Sequence, residues 1–201
     1  MSKDVSNIRN IKDLSINLLE IAECNLLLSI KDLKPEEIFK QLLPDINPIN
    51  WIFGHCMSHL DYVFNELCQG KKMITEEIHN HYAFGVSKEI AKSTPPISFK
   101  KLVDLYLQIS KNTFDYLKKL PEEKFRAAPE ASIKSEIKET LMEFIQRVSL
   151  HFMGHMGQIV LIRRNIGNPG SSFVAGIEKN SRIRHLENWQ KWWLENKEKF
   201  K

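Results

Sequence analysis

The chain has 201 residues, 42% of them hydrophobic and 27% charged, enough to bury the core of one ordinary domain over residues 1–201 without disulfide or metal staples. Lys and Arg number 29 against 25 Asp and Glu, a net charge of +4, and the basic residues are dispersed apart from Lys71-Lys72, Arg163-Arg164 and residues 182–185, which argues against a nucleic-acid partner. Three cysteines, Cys24, Cys56 and Cys68, form no Cys-x-x-Cys pair and leave an odd thiol, which suits a reducing compartment better than a secreted disulfide scaffold, and a cytoplasmic location is expected.

Apolar residues recur at intervals of three and four through Ile11, Leu14, Leu18, Ile21, Ala22, Leu26 and Leu28, which predicts a first helix ending near Lys34-Pro35. Asn47 as cap and Pro48 in the first turn open a second helix, closed by Gly70 after Leu67. Residues 71–97 show no sustained period and read as a long connection, a feature often tied to function. Ser98 caps a third helix with Leu102, Leu105, Tyr106, Ile109, Thr113 and Leu117 on one face, stopping before Pro121. A fourth helix is predicted over 136–166, stopped by Gly167 and Pro169. A Gly and Ser loop at 167–176 then leads to a short helix over 184–198 with Leu186, Trp189, Trp193 and Leu194 on one face. No segment alternates like a strand, and the chain reads as all-α, a four-helix bundle with a short C-terminal helix.

Two stretches stand apart. Residues 46–60 and 148–162 are the longest runs without Asp, Glu, Lys or Arg, and each carries two histidines four apart, His55 with His59 and His151 with His155. Histidines at that spacing share a helix face and can grip one metal ion. In an apolar interior an imidazole needs a hydrogen bond or a metal to offset its lost hydration. The same runs are too short and too polar to cross a bilayer, and residues 1–13 lack the apolar centre of a signal peptide, so no membrane segment is expected.

On helix two the polar arc holds Asn50, Gly54, Asp61 and Asn65, with His59 roughly 40° and His55 roughly 80° from the centre of the apolar arc. On helix four His155 lies roughly 30° and His151 roughly 70° from the apolar centre. Both pairs can therefore face inward, and the helical wheel leaves His55 and His59 open as the third ligand. Gly54, Gly154 and Gly157 each cost about 1 kcal/mol of helix propensity relative to Ala, a cost that close helix approach or room for a ligand would justify. Gln158 and Asn50 are candidates for orienting the histidines. Phe152 stands where His-Glu-x-x-His would place a general base, which disfavours metalloprotease chemistry. The tryptophans and Cys56 read as packing, His79 and His81 in the long connection as surface residues that could border the site, and His185 as solvated.

The stretch NPINWIFGH at 47–55, followed by HFMGHMGQIVLIRRNIG at 151–167, resembles the two hallmark motifs of the DinB/YfiT-like family of four-helix bundles. The resemblance implies that His55, His151 and His155 bind one divalent metal, with His59 beside the site. The ion would be zinc, with nickel, iron or manganese as alternatives that imidazole also suits. Relatives in that family include transferases and isomerases that use low-molecular-weight thiols such as bacillithiol or mycothiol. The resemblance thus implies a thiol cosubstrate and a small electrophilic substrate. Metal-dependent hydrolysis is the enzymatic alternative, and a non-catalytic metal-binding stress-response bundle the alternative outside catalysis. Apolar residues to spare on the helices also fit a homodimer.

Overall fold

A computed structural model describes residues 10–43, 45–132, 138–170 and 178–201. All regular structure among them is helical. The elements are α1 (Ile11–Ile30), α2 (Pro35–Ile38), α3 (Ile49–Leu60), α4 (Glu76–Tyr82), α5 (Lys88–Lys92), α6 (Phe99–Lys119), α7 (Leu141–Asn165) and α8 (Lys179–Asn196). A π-helical segment, Asp61–Leu67, continues α3, and short 3-10 turns follow α6 and α8. Helix α1 lies against α7, α7 against α3, α3 against α6 and α6 against α1, so these four enclose one apolar core. No helix among the described residues is long and apolar enough to cross a membrane.

Local chemistry sets the helix ends. Asn10 accepts from the Asp13 amide at 2.8 Å to start α1, and Ser98 caps α6 as the sequence predicts. The first helix ends at Ile30 instead of near residue 34, because Lys31 turns extended and Asp32 takes a positive φ of 61°. The exposed carbonyls of Ser29 and Lys31 are met by Nη1 of Arg163, at 2.7 Å each. Arg163 is only 1% exposed, and its Nε and Nη2 donate to the backbone and side-chain oxygens of Asn168. Buried charge is tolerable here because its donors are filled.

Three further expectations are corrected. Helix α3 starts at Ile49 with Pro48 itself at the cap, one residue later than Asn47 would place it. Helix α7 starts at Leu141 instead of near 136, because Thr140 and Glu143 form a reciprocal capping box; residues 133–137 lie outside the described residues. The C-terminal helix starts at Lys179, and its inner face is Arg182, Trp189 and Trp193, while Leu194 is 58% exposed. Arg182 is drawn inward by Asn17 and Glu20 on α1. Residues 171–177, most of the expected Gly and Ser loop, lie outside the described residues.

The connection over 71–97 is the largest departure, since it contains α4 and α5, each too short to show a period. Thr75 and Ser87 cap them. The connection covers Asn50 and Asp61, and Asn112 on α6 donates to Asn65 Oδ1, so that Asn50, Asp61 and Asn65 are at most 2% exposed. Asp61 makes this possible: its carboxylate accepts from the amides of Met73 and Ile74 at 3.1 Å and from Asn65 Nδ2 at 2.7 Å. An α-helical surface that looks solvated in sequence is thus satisfied by chain that folds back on it.

Candidate metal centre

Helices α3 and α7 bring His55, His151 and His155 to one point, with one ligand nitrogen of each within 4.8 Å of the others. His151 Nε2 lies 3.1 Å from His55 Nε2 and 2.9 Å from His155 Nε2. The two helices run antiparallel here, as His59, one turn beyond His55, meets the ring of His151, one turn before His155.

The outer nitrogens decide what the inner ones offer. His55 Nδ1 donates to the Tyr82 carbonyl at 2.7 Å, and His155 Nδ1 donates to Gln158 Oε1 at 2.8 Å. A neutral ring that carries its proton on Nδ1 has a lone pair on Nε2. Two lone pairs therefore point at His151 Nε2, and one proton on His151 cannot satisfy both well. A cation at the meeting point satisfies all three, and nitrogens about 2.0 to 2.1 Å from a tetrahedral zinc would sit about 3.3 Å apart. The His151 nitrogen lies within a few tenths of an ångström of that separation from each of the other two. Carbonyl-type acceptors behind metal-binding imidazoles are the usual means of fixing tautomer and ring direction. The three histidines can hold a metal ion.

Their protonation agrees. Burial holds the His55 and His155 rings below the ordinary imidazole range, against the opposing pull of their Nδ1 hydrogen bonds. His151 is pushed down to about 3 by burial and then by the neighbouring histidines and Arg147. At neutral pH all three rings are neutral, the form that ligates.

Surrounding residues hold the frame. Trp51, one turn before His55, stacks on its ring at 4.9 Å with planes 8° apart and donates Nε1–H to the His81 carbonyl at 2.9 Å. Gly54 lets the Tyr82 ring lie where a Cβ would collide, whereas Gly154 and Gly157 face open space beside His155. Gln158 therefore orients a histidine directly. Asn50 does not: its Nδ2 donates to the Tyr82 hydroxyl at 3.3 Å. His59 lies outside the convergent trio with its ring 4.2 Å from that of His151, and burial followed by Arg147 holds it down to about 4. Tyr82 and the stacking role of Trp51 went unread in the sequence, although Trp51 and His55 are four apart.

Two cavities flank the trio. One, of about 520 Å³, is lined by His55, Ser58, His59, His79 and Arg147, with Phe84, 93% exposed, on its rim. The second, of about 590 Å³, is mostly apolar, with Ile46, Ile52, Leu161 and Ile162 in its walls and Gln158 on the side toward His155. No carboxylate lines the first cavity among the described residues. Cys24, Cys56 and Cys68 are buried free thiols outside the trio. Burial raises all three, Cys24 to about 11 and Cys68 to about 12.

Compared with known proteins, the chain matches no family model, no curated protein and no solved structure.

Proposed function

We propose that this is a DinB/YfiT-like metal-dependent enzyme, a four-helix bundle that uses His55, His151 and His155 to hold one divalent ion and adds a small thiol to a compact electrophile. The observation that carries the reading is the convergence of three neutral imidazoles, two with Nδ1 locked by carbonyl oxygens, beside an open cavity. Zinc is the ion proposed, since three histidines leave a fourth position open in a catalytic site; imidazole also suits nickel, iron and manganese. Such an ion, when bound, lowers the pKa of a thiol or water in its open position.

The chain's residues favour sulfur over water. A hydrolase of the zincin kind needs a carboxylate base beside the bound water, and Phe152 is instead buried in the core. The described walls of the first cavity, which hold imidazoles and a guanidinium but no carboxylate, support the same preference. The chain's own thiols are buried with raised pKa values, so the nucleophile is supplied from outside. The apolar walls beside Gln158 suit the hydrophobic body of the electrophile. In the transfer the thiol loses its proton to solvent, a sulfur–carbon bond forms, and the electrophile's leaving group departs with the bonding pair.

Metal analysis of untagged protein, followed by thiol-consumption assays over a panel of alkyl and aryl halides, tests this. One divalent ion per chain and turnover that needs both metal and thiol are expected, with a loss of about a hundredfold or more in His151→Ala. Ester hydrolysis that persists without thiol, alongside no turnover with any thiol, would transfer the reading to a hydrolase.

A further inference from the structure

Arg147 lies four residues before His151 on α7, about 6 Å along the helix axis from the metal centre. It is the formally charged residue in the wall of the 520 Å³ cavity, whose other polar walls are His55, Ser58, His59, Tyr62 and His79. Its guanidinium stands 5.2 Å from the centre of the Phe144 ring, which steadies its plane. Its donors, however, are poorly used. Nε and Nη2 are shielded from solvent and have no hydrogen-bond partner among the described residues. Glu139 Oε2 approaches Nη2 to 2.9 Å but outside hydrogen-bonding geometry, so it compensates charge without filling the fork.

The side chain of Arg147 is 37% exposed, and the contrast with the two buried arginines is chemical. Arg163 fills Nε, Nη1 and Nη2 with carbonyl oxygens and serves as a strut between α1 and α7. Arg182 is bound to Asn17 and Glu20. Buried donors left empty cost roughly 1 to 3 kcal/mol each, so a side chain in that state gains by turning its fork toward an acceptor in the cavity it already lines.

We propose that Arg147 anchors a carboxylate of the small-molecule substrate, about one helical turn from the metal centre. The proposal rests on the metal-site reading above and narrows it to substrates in which a carboxylate and the reacting atom are separated by a few bonds. A guanidinium fork matches a carboxylate in two parallel hydrogen bonds. A single arginine already facing one acid suits a singly charged carboxylate better than a doubly charged phosphate. The carboxylate belongs either to the thiol or to the electrophile, and the shared chemistry is the same.

The test loads the protein with Co(II) and follows thiolate-to-metal absorption while titrating ω-mercaptocarboxylates of two to six carbons against mercaptoalcohols of equal length. A second arm holds 2-mercaptoethanol constant and compares turnover of 4-bromobutanoate with that of 4-bromobutanol. A preference of at least about tenfold for the carboxylate is expected in one arm, the size of a charge-assisted pair. The arm that shows it tells which reactant carries the group. Arg147→Gln should bring that ratio to near one. If this variant fails to fold by circular dichroism, Arg147→Met keeps the apolar stem against Phe144 and decides the same comparison. Ratios near one in both arms of the wild type, or a preference that survives loss of the guanidinium, overturn the proposal. Failure of the metal reading is separately visible, as absence of the Co(II) spectrum in wild type. In that case the subsite is decided by glutarate against 1,5-pentanediol, scored by the melting temperature of metal-free wild type and Arg147→Gln: protection by glutarate alone, lost in the variant, supports it, and equal effects overturn it.

Discussion

At Gly54 a missing Cβ controls the histidine cluster from behind. The Tyr82 ring occupies the space a side chain would take, and the Tyr82 carbonyl then reaches His55 Nδ1 at 2.7 Å. Gly54→Ala forces the ring and its carbonyl away, with a loss of about 1 to 3 kcal/mol from overpacking and about tenfold weaker metal binding from the misdirected imidazole. Gly154→Ala has the opposite sign, because nothing lies within 4 Å of the added methyl and helix propensity improves by about 1 kcal/mol. Urea unfolding and metal titration of both variants check the pair, and a Gly54→Ala protein as stable as wild type would show that the ring yields freely. The three converging histidines were legible as candidates, since spacing put His151 and His155 on one face and the resemblance to the DinB/YfiT-like family singled out His55 over His59, and the structure brings these three together. The support was not. A backbone carbonyl that fixes a tautomer, as Tyr82 does, leaves no trace in side-chain identity.

Among the elements, the segment after α3 links stability to the site. Asp61 opens the π-helical turns and holds the amides of Met73 and Ile74, which delivers α4 and its Tyr82 carbonyl onto α3. Asp61→Asn replaces one acceptor oxygen with a donor facing other donors. The expected loss is about 2 to 4 kcal/mol, and amide hydrogen exchange should quicken first at residues 73–82. Unchanged protection over that stretch would place the anchor elsewhere. The same segment explains what the sequence hid. Long amphipathic helices are read well because repetition averages out error, and α1, α3, α6 and α7 appear in the segments where periodicity puts them, with ends reset by local caps and turns. Helices of five and seven residues offer no period, only caps such as Thr75 followed by Glu76 and Glu77. Helix-wheel logic also assumes that a polar arc means water, and at Asn50, Asp61 and Asn65 it meets other protein instead.

For the whole molecule, the apolar ring of helices and the histidine centre make opposite demands on pH. The core that joins α1, α3, α6 and α7 does not depend on the ion, so the metal-free chain is expected to fold and to gain stability on metal addition as RT ln(1 + [L]/Kd). In that metal-free fold the imidazoles resist protons: His59 is held down to about 4 and His151 to about 3, while His55 and His155 are also lowered. Below the unfolded value of about 6.5 the unfolded chain binds protons that the folded chain refuses, so stability falls as pH drops from there toward 4. Above it these rings are neutral in both states and contribute no slope. Glu23 works the other way. Burial, partly offset by its bonds to Ser110 and Tyr106, raises it to about 7, which lowers stability as pH rises from about 4.5 through 7. Four imidazoles outweigh one carboxyl, so the melting temperature of the metal-free protein should decline steadily between pH 6.5 and 4. Glu23→Gln removes the opposing term, and its pH profile should be steeper over pH 4.5 to 6.5 than that of wild type. A metal-free protein whose melting temperature rises or stays level as pH falls through that window would mean that the four rings accept protons in place, contrary to the neutral cluster on which the proposed metal site depends.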